Sequence, residues 1–130
     1  MLLTISEVIA DNHQEYFEKA NDLATQGKWQ DAIEAYDLAI KYKSNFVEAY
    51  YNKGVALYEL GKPHEAIIAY DLAIKYKPDD AEVYYNKGAT LSKLGKYLEA
   101  LEAYDLAIKS LLGIFPAACG VIWRNEQIYT

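Results

Sequence analysis

The residues that could perform acid–base, nucleophilic or metal chemistry are few and scattered along this sequence. Its two histidines, His13 and His64, lie far apart, and Cys119 has no neighbouring base that would favour the thiolate. No glycine-rich phosphate loop and no metal-ligand spacing are present. Carboxylates are plentiful, but three of them recur at a fixed interval, which is typical of solvated charge on a repeated helix surface. These three are Asp37, Asp71 and Asp105. We therefore expect no catalytic residues, no cofactor and no metal site.

The composition indicates an acidic globular chain. Nineteen acidic residues against 13 basic ones give a net charge of −6, which suits a nucleic-acid phosphate backbone poorly. The first twelve residues hold no Lys or Arg, so a secretory signal is not expected. The longest apolar stretch, residues 111–122, is shorter than the roughly 20 residues of a membrane span. A single cysteine cannot form an intrachain disulfide, which fits a reducing compartment, and we expect a cytoplasmic protein without nucleic-acid partners.

An internal repeat dominates the sequence. The string Ala-Tyr-Asp-Leu-Ala-Ile-Lys occurs at 35–41, 69–75 and 103–109, which is an offset of 34 residues each time. Three units of that length fill residues 13–46, 47–80 and 81–114. They leave an N-terminal flanking segment, 1–12, and a C-terminal segment, 115–130. A repeat of this length predicts stacked supersecondary units that bury a continuous core together.

Each unit has the pattern of two amphipathic helices. In the second unit apolar residues recur at intervals of three and four, and Gly61 separates the two periodic runs. Pro63 falls in the first turn of the second run, where its missing N–H costs little. Small residues at Gly54 and Ala66 would let the paired helices approach closely, and Pro78 ends the unit. The chain is therefore predicted to be all-α.

These residues resemble the tetratricopeptide repeat, a helix–turn–helix unit of the same length. The aromatic, Gly, Leu, Ala, aromatic, Ala and Pro places of that family are matched in the second unit. They are Tyr50, Gly54, Leu57, Ala66, Tyr70, Ala73 and Pro78. The Leu that usually precedes the Gly is replaced by Lys in every unit, at Lys19, Lys53 and Lys87. The resemblance implies a right-handed α–α superhelix of three repeats with short flanking helices.

The resemblance also implies that the first helix of each unit lines a concave groove. The residues matching groove-facing places, called the groove residues below, are Phe17, Asn21, Glu48, Tyr51, Asn52, Val55, Tyr58, Glu82, Tyr85, Asn86 and Lys93. Phe17, Tyr51 and Tyr85 supply one aromatic ring per unit, and aromatic rings give contact area at low entropic cost. Asn52 and Asn86 follow two of them and could pair with a peptide backbone. The alternative is that these rings only complete the packing between first helices.

One subfamily can be compared place by place. Chaperone-binding tetratricopeptide domains hold the C-terminal carboxylates of their ligands with two Lys, one Arg and two Asn. The matching residues here are Phe17, Asn21, Asn52, Glu82 and Asn86, so both Asn are kept and all three cations are absent. An acidic peptide end would meet Glu48 and Glu82, so this resemblance argues against that clamp. A neutral or basic peptide with apolar anchors fits better.

The two ends allow different interpretations. Residues 1–12 could form a short helix that covers the first unit. The C-terminal segment departs from the repeat after Lys109 and contains Pro116, Val121 and Ile122. It could cap the solenoid with a helix of one polar face, form a contact between subunits, or stay poorly ordered. We expect a non-catalytic scaffold that binds a peptide or helix of a protein partner in the groove, and the alternative is a homo-oligomerising module driven by the terminal segments.

Overall fold

Six helices, joined by short turns, make up the part of the chain that the computed structural model describes, residues 4–113. They are α1 (Ile5–Thr25), α2 (Trp29–Tyr42), α3 (Val47–Glu59), α4 (Pro63–Tyr76), α5 (Ala81–Lys93) and α6 (Tyr97–Leu111). Those residues contain no strand, so the predicted all-α class is confirmed. The helices pair as α1–α2, α3–α4 and α5–α6, and each pair packs against the next in a solenoid.

The turn inside each pair depends on a glycine. Gly61 has a φ of +85°, a left-handed conformation that a residue with a Cβ adopts only with strain. Its N–H donates to the carbonyl of Tyr58 at 3.0 Å, and the N–H of Lys62 donates to that of Leu57 at 2.8 Å. The turns at Gly27 and Gly95 repeat this geometry. The helix break expected at these glycines is confirmed, and it reverses the chain within three residues.

Close approach of paired helices depends on the small residues that the sequence repeats. A Cβ on Gly54 would lie 2.5 Å from the ring of Tyr70, so the backbone of α3 presses directly onto that ring. Gly88 stands in the same relation to Tyr104, at 2.8 Å. Ala66 and Ala73 are fully buried beside them. The close approach expected of the two helices of a unit is therefore confirmed in the last two units.

Two ion pairs join neighbouring units and account for the unusual lysines. Lys53 on α3 pairs with Asp37 on α2 at 2.6 Å, and Lys87 on α5 pairs with Asp71 on α4 at the same distance. Both lysine side chains are about one-quarter exposed, while both aspartates are half exposed. The Lys that departs from the family pattern thus has a fixed partner one unit earlier. The pairs set the register between units more than they stabilise the fold, because half-exposed pairs contribute under about 1 kcal/mol.

Tyrosine pairs close the ends of the first two units. Tyr16 stacks on Tyr42 with ring centroids 5.7 Å apart, and Tyr50 stacks on Tyr76 at 5.8 Å. The hydroxyl of Tyr50 donates to the carbonyl of Ser44 at 2.8 Å, which ties the first helix to the loop before it. These tyrosines therefore serve packing between the start of one helix and the end of its partner.

The N-terminal flank is continuous with the first unit. Residues 5–12, expected as a short separate helix, form the first turns of α1, which runs without a break for 21 residues. The side chain of Asp80 caps α5, because it accepts a hydrogen bond from the N–H of Glu82 at 3.2 Å. The three interpretations of the C-terminal segment 115–130 fall on residues outside those described.

Alkaline pH is expected to unfold the chain through its buried phenols. Burial raises the pKa of Tyr36 to about 12 and that of Tyr70 to about 12, from an ordinary 10.0, because the charged form is poorly solvated there. Between pH 10 and about 12, these two phenols have lost their protons in the unfolded chain but keep them in the folded chain. Stability is therefore full below pH 10 and falls as the pH rises to about 12, by up to about 1.4 kcal/mol per pH unit for each tyrosine.

Urea unfolding across this pH range measures the effect. Tyr70→Phe should make the decline shallower by the contribution of one tyrosine. A free energy of unfolding that stays constant up to pH 12 would contradict this expectation.

Candidate peptide-binding groove

The first helices of the units line the inner side of the solenoid. Within residues 4–113, α1 contacts α3 and α3 contacts α5, whereas the second helices α2, α4 and α6 do not contact one another. The first helices are therefore closer together, and the stack curves towards them. All the groove residues lie on α1, α3 and α5, so the structure places them on one side of the solenoid.

The side-chain amides of two groove residues, Asn21 and Asn52, are hydrogen-bonded to each other where the first and second units meet. The carbonyl oxygen of Asn21 accepts from the amino group of Asn52 at 3.0 Å and from the hydroxyl of Tyr36 at 2.6 Å. The three side chains form a cluster that joins units one and two. The hydroxyl of Tyr36 is the signal that sequence reasoning missed, because a buried phenol usually finds a polar partner.

A second cluster joins units two and three through Tyr51. Its hydroxyl donates to a carboxylate oxygen of Glu82 at 2.8 Å and accepts from the amino group of Asn86 at 2.7 Å. Burial, together with the Glu82 carboxylate, raises the pKa of Tyr51 well above its ordinary value. The hydroxyl is therefore a fixed bridge between α3 and α5. Its ring lies 6.1 Å from that of Tyr70 and remains half-buried.

The aromatic residue of each unit is exposed to a different degree. Phe17 is half-buried and packs on Phe46 with ring centroids 4.7 Å apart. Phe46 is almost fully buried at the N-terminus of α3, so the ring of Phe17 packs where the first and second units meet. Tyr85 instead is 59% exposed, and its ring touches that of Tyr104 at 5.6 Å. Phe17 therefore fits the interpretation that the ring only completes packing between units. Tyr85 instead has one side of its ring exposed.

The remaining groove residues flank Tyr51 along α3 and α5. Val55, Tyr58 and Asn86 line an open cavity of about 180 Å³ between the two helices. The ammonium of Lys93 lies 4.5 Å above the ring of Tyr58, a cation–π contact. Lys93 is the one cation among the groove residues.

Hydrogen-bond acceptors outnumber donors on this surface. One N–H of each amino group of Asn52 and Asn86 is donated to a neighbouring unit, which leaves one N–H and the carbonyl oxygen of each side chain. Glu48 and Glu82 are both exposed and add carboxylate oxygens. The arrangement can accept hydrogen bonds from backbone N–H groups and from basic side chains, and it can pack apolar groups on Tyr85 and Val55.

Other candidates for chemistry are dispersed. Within residues 4–113 no group of three His, Cys, Asp or Glu side chains converges closely enough to hold a metal ion. His13 packs edge-on against the ring of Phe46 at 5.2 Å, and His64 is exposed at the start of α4. Cys119 lies outside the described part of the chain. None of the helices in that part is long and apolar enough to cross a membrane.

Comparisons with known proteins point to one family. A family model of the tetratricopeptide repeat matches residues 17–81, which is half of the chain, and a second such model matches residues 69–102. No curated protein sequence matches the chain.

Solved structures share the fold. The crystal structure of MamA has a TM-score of 0.77 at 24% identity, over 78% of this chain and 60% of MamA, so the chain spans about three-fifths of that protein. The TPR2B domain of yeast Sti1, solved in complex with pHsp70, has a TM-score of 0.73 at 28% identity, over 75% of this chain and 78% of that domain. The Sgt2 TPR domain from Aspergillus fumigatus has a TM-score of 0.72 at 19% identity, over 75% of this chain and 65% of the other.

Three stacked helical hairpins, glycine turns at a constant interval and the match over residues 17–81 lead to one assignment. This chain belongs to the tetratricopeptide-repeat family, a fold of non-catalytic protein–protein interaction.

Proposed function

We propose that the chain is an interaction scaffold that binds a peptide or helix of a partner protein in the concave groove. The observation that carries the proposal is Tyr85, a large aromatic side chain that is 59% exposed on the inner side of a rigid stack. Exposed aromatic rings held by a rigid scaffold are typical anchors of protein interfaces, because little side-chain entropy is lost on binding. The yeast Sti1 domain in complex with pHsp70 supports a protein partner for this fold.

The partner is a neutral or basic segment with apolar anchors. Glu48 and Glu82 would repel an acidic peptide and attract a basic one. The amide oxygens of Asn52 and Asn86 would accept hydrogen bonds from the backbone or from Lys and Arg side chains. Lys93 is held over the Tyr58 ring, so it offers little to a ligand carboxylate.

Selection from a displayed library of random peptides tests this proposal. Enriched sequences should combine aromatic or large aliphatic residues with a neutral or positive net charge, and their affinity should fall with added salt. Glu82→Gln should weaken the basic peptides more than the neutral ones. Glu99→Gln, a matched change of an exposed carboxylate on α6, should leave both unchanged. Enrichment of acidic peptides would contradict the charge preference, and no enrichment at all would contradict the groove.

Self-assembly is the second candidate because one observation favours it. The last helix, α6, exposes large apolar side chains, among them Ile108 at 57% and Leu111 at 77%. Exposed apolar patches on a helix mark contacts between chains or sites covered by another segment. Light scattering at several protein concentrations tests self-assembly, and a strict monomer would contradict this candidate.

A further inference from the structure

Two carboxylates occupy equivalent positions in the groove, but only one of them is held by a tyrosine. Glu48 on α3 and Glu82 on α5 are 34 residues apart, and both are exposed. Tyr51 of the second unit donates its hydroxyl proton to a carboxylate oxygen of Glu82 at 2.8 Å. Phe17 is the equivalent residue of the first unit, and it has no hydroxyl to donate to Glu48. The repeat therefore fixes the Glu82 side chain and lacks this bond at Glu48.

The neighbours of the Tyr51 hydroxyl decide where its single proton goes. The amino group of Asn86 donates to the hydroxyl oxygen at 2.7 Å, so the hydroxyl proton is directed to Glu82. Hydrogen bonds to a charged carboxylate are stronger than neutral ones and hold the side chain in one orientation. Within residues 4–113 the second carboxylate oxygen of Glu82 has no hydrogen bond and no ion pair. It is a fixed, negatively charged acceptor for a ligand.

An apolar cavity of about 500 Å³ lies beside this acceptor, between α5 and α6. Glu82 and Tyr85 line it from α5, one helical turn apart, and Tyr104, Ala107 and Ile108 line it from α6. Among residues 4–113, Glu82 is the one charged residue in its wall. Its volume lies in the range of sites that bind small ligands, so it has room for one large apolar side chain.

Charge favours a basic occupant of this cavity. The chain carries a net charge of −6, which disfavours a second copy of itself as the occupant. A basic segment is instead attracted to the acidic protein as a whole and to the Glu82 carboxylate at short range. The cavity adds an apolar contact directly beside that charge, so the two together select more than either alone.

We propose that the cavity and Glu82 form a two-part subsite for a large apolar side chain with a Lys or Arg one or two residues away in the partner. The apolar side chain enters between Tyr85 and Ile108, and the cation meets the held carboxylate. The spacing follows from α5, since side chains one turn apart are separated by about 5–6 Å, which one or two residues of an extended peptide can span. In this subsite Tyr51 is a positioning residue, because it acts on the cation through Glu82. The inference rests on the proposed function and names the sequence that the groove would select.

Three synthetic peptides of equal length, titrated into the full-length protein, test the subsite. The first has a Lys directly beside a Trp, the second has the same residues with the Lys five positions away, and the third has Gln in place of the Lys. The first should bind about 5-fold more tightly than the other two, which is the upper end for an exposed ion pair. Equal affinities of the first and second peptides would overturn the subsite and leave the groove standing. No binding of any peptide would overturn the subsite and the proposed function together.

The two equivalent carboxylates supply a matched pair of variants. Glu82→Gln should remove the preference for the first peptide over the third. Glu48→Gln should keep that preference, although Glu48 is also exposed and also lies in the first turn of its helix. Both variants should keep the helical circular dichroism of the parent protein. An equal loss of preference in both would overturn the assignment to Glu82, because it would reflect the overall charge alone.

Tyr51→Phe tests the positioning role. It should lower the preference for the first peptide over the third, because the Glu82 carboxylate is no longer held. The ratio of the two affinities is the readout, since a loosened contact between units would weaken both peptides alike. An unchanged ratio would overturn the role assigned to the Tyr51 hydroxyl.

A second matched pair locates the apolar part of the subsite. Ile108→Asn should weaken all three peptides, because it places a polar group in the wall of the cavity. Ile68→Asn on α4 should leave them unchanged, since Ile68 is comparably exposed, at 61% against 57%, but lies away from the cavity. Equal binding by both variants would overturn the cavity as the anchor site. Light scattering that showed association of the protein, reversed by the first peptide, would assign the cavity to a second copy and overturn the proposal.

Discussion

Tyr85→Ala is expected to weaken binding of a groove peptide by about 30-fold or more and to leave thermal unfolding almost unchanged. The loss corresponds to the 2 kcal/mol that defines an interface hot spot. The small effect on stability follows from burial, because the ring is 59% exposed and its one ring contact in the described residues is Tyr104. Calorimetric titration with a selected peptide measures the first quantity, and thermal unfolding measures the second.

Tyr97→Ala is the matched control for this experiment. Tyr97 is also a largely exposed tyrosine, at 70%, but it lies on α6 rather than on the inner side. The Tyr97→Ala variant should bind the peptide as tightly as the parent protein does. Unchanged binding by Tyr85→Ala, or an equal loss in both variants, would show that the partner uses another surface.

Tyr51 cannot serve as an equally clean test of the groove. Its hydroxyl bridges Glu82 and Asn86, so Tyr51→Phe leaves both without that partner and should cost about 1–3 kcal/mol of stability. A loss of peptide binding in a Tyr51 variant would therefore combine a missing contact with a loosened junction between units.

Gly54→Val is expected to destabilise the fold by about 3 kcal/mol. Even a Cβ at this place would lie 2.5 Å from the Tyr70 ring, which is 2% exposed. Overpacking of this kind typically costs 1–3 kcal/mol, and a β-branched side chain adds two more methyl groups to the clash. Chemical denaturation measures the free energy of unfolding.

A double-mutant cycle with Tyr70→Ala isolates the contact. Tyr70→Ala alone leaves a cavity and should cost about 3–5 kcal/mol. The added valine would fill part of that cavity, so the double variant should be more stable than the sum of the two losses predicts. Strict additivity would show that the ring of Tyr70 is not what opposes a side chain at Gly54.

The sequence was sufficient to predict the helices and their pairing, because both follow from local patterns. The helix end at Gly61 and the small residue at Gly54 recur at an offset of 34 residues, and the structure confirms the helices they predict. The lysines that depart from the family pattern could be noticed but not explained. For two of them, Lys53 and Lys87, the partners Asp37 and Asp71 lie on the preceding unit, and only the stacking geometry brings them together.

The exposure of individual groove residues was harder to predict, because a repeat pattern assigns the same environment to residues at equivalent positions. Phe17 and Tyr85 occupy the same place, yet Phe46 buries one while nothing in the described residues covers the other. The bonds among Asn21, Asn52 and Tyr36 likewise depend on distances between units that no spacing in the sequence records.

Chemical-shift mapping of a selected peptide on the isotope-labelled protein tests the groove most directly. Binding in the concave groove predicts that the largest shifts fall on α3 and α5 around Tyr85, Asn86 and Val55, with little change on α2 and α4. The largest shifts on α2 and α4 would contradict the account.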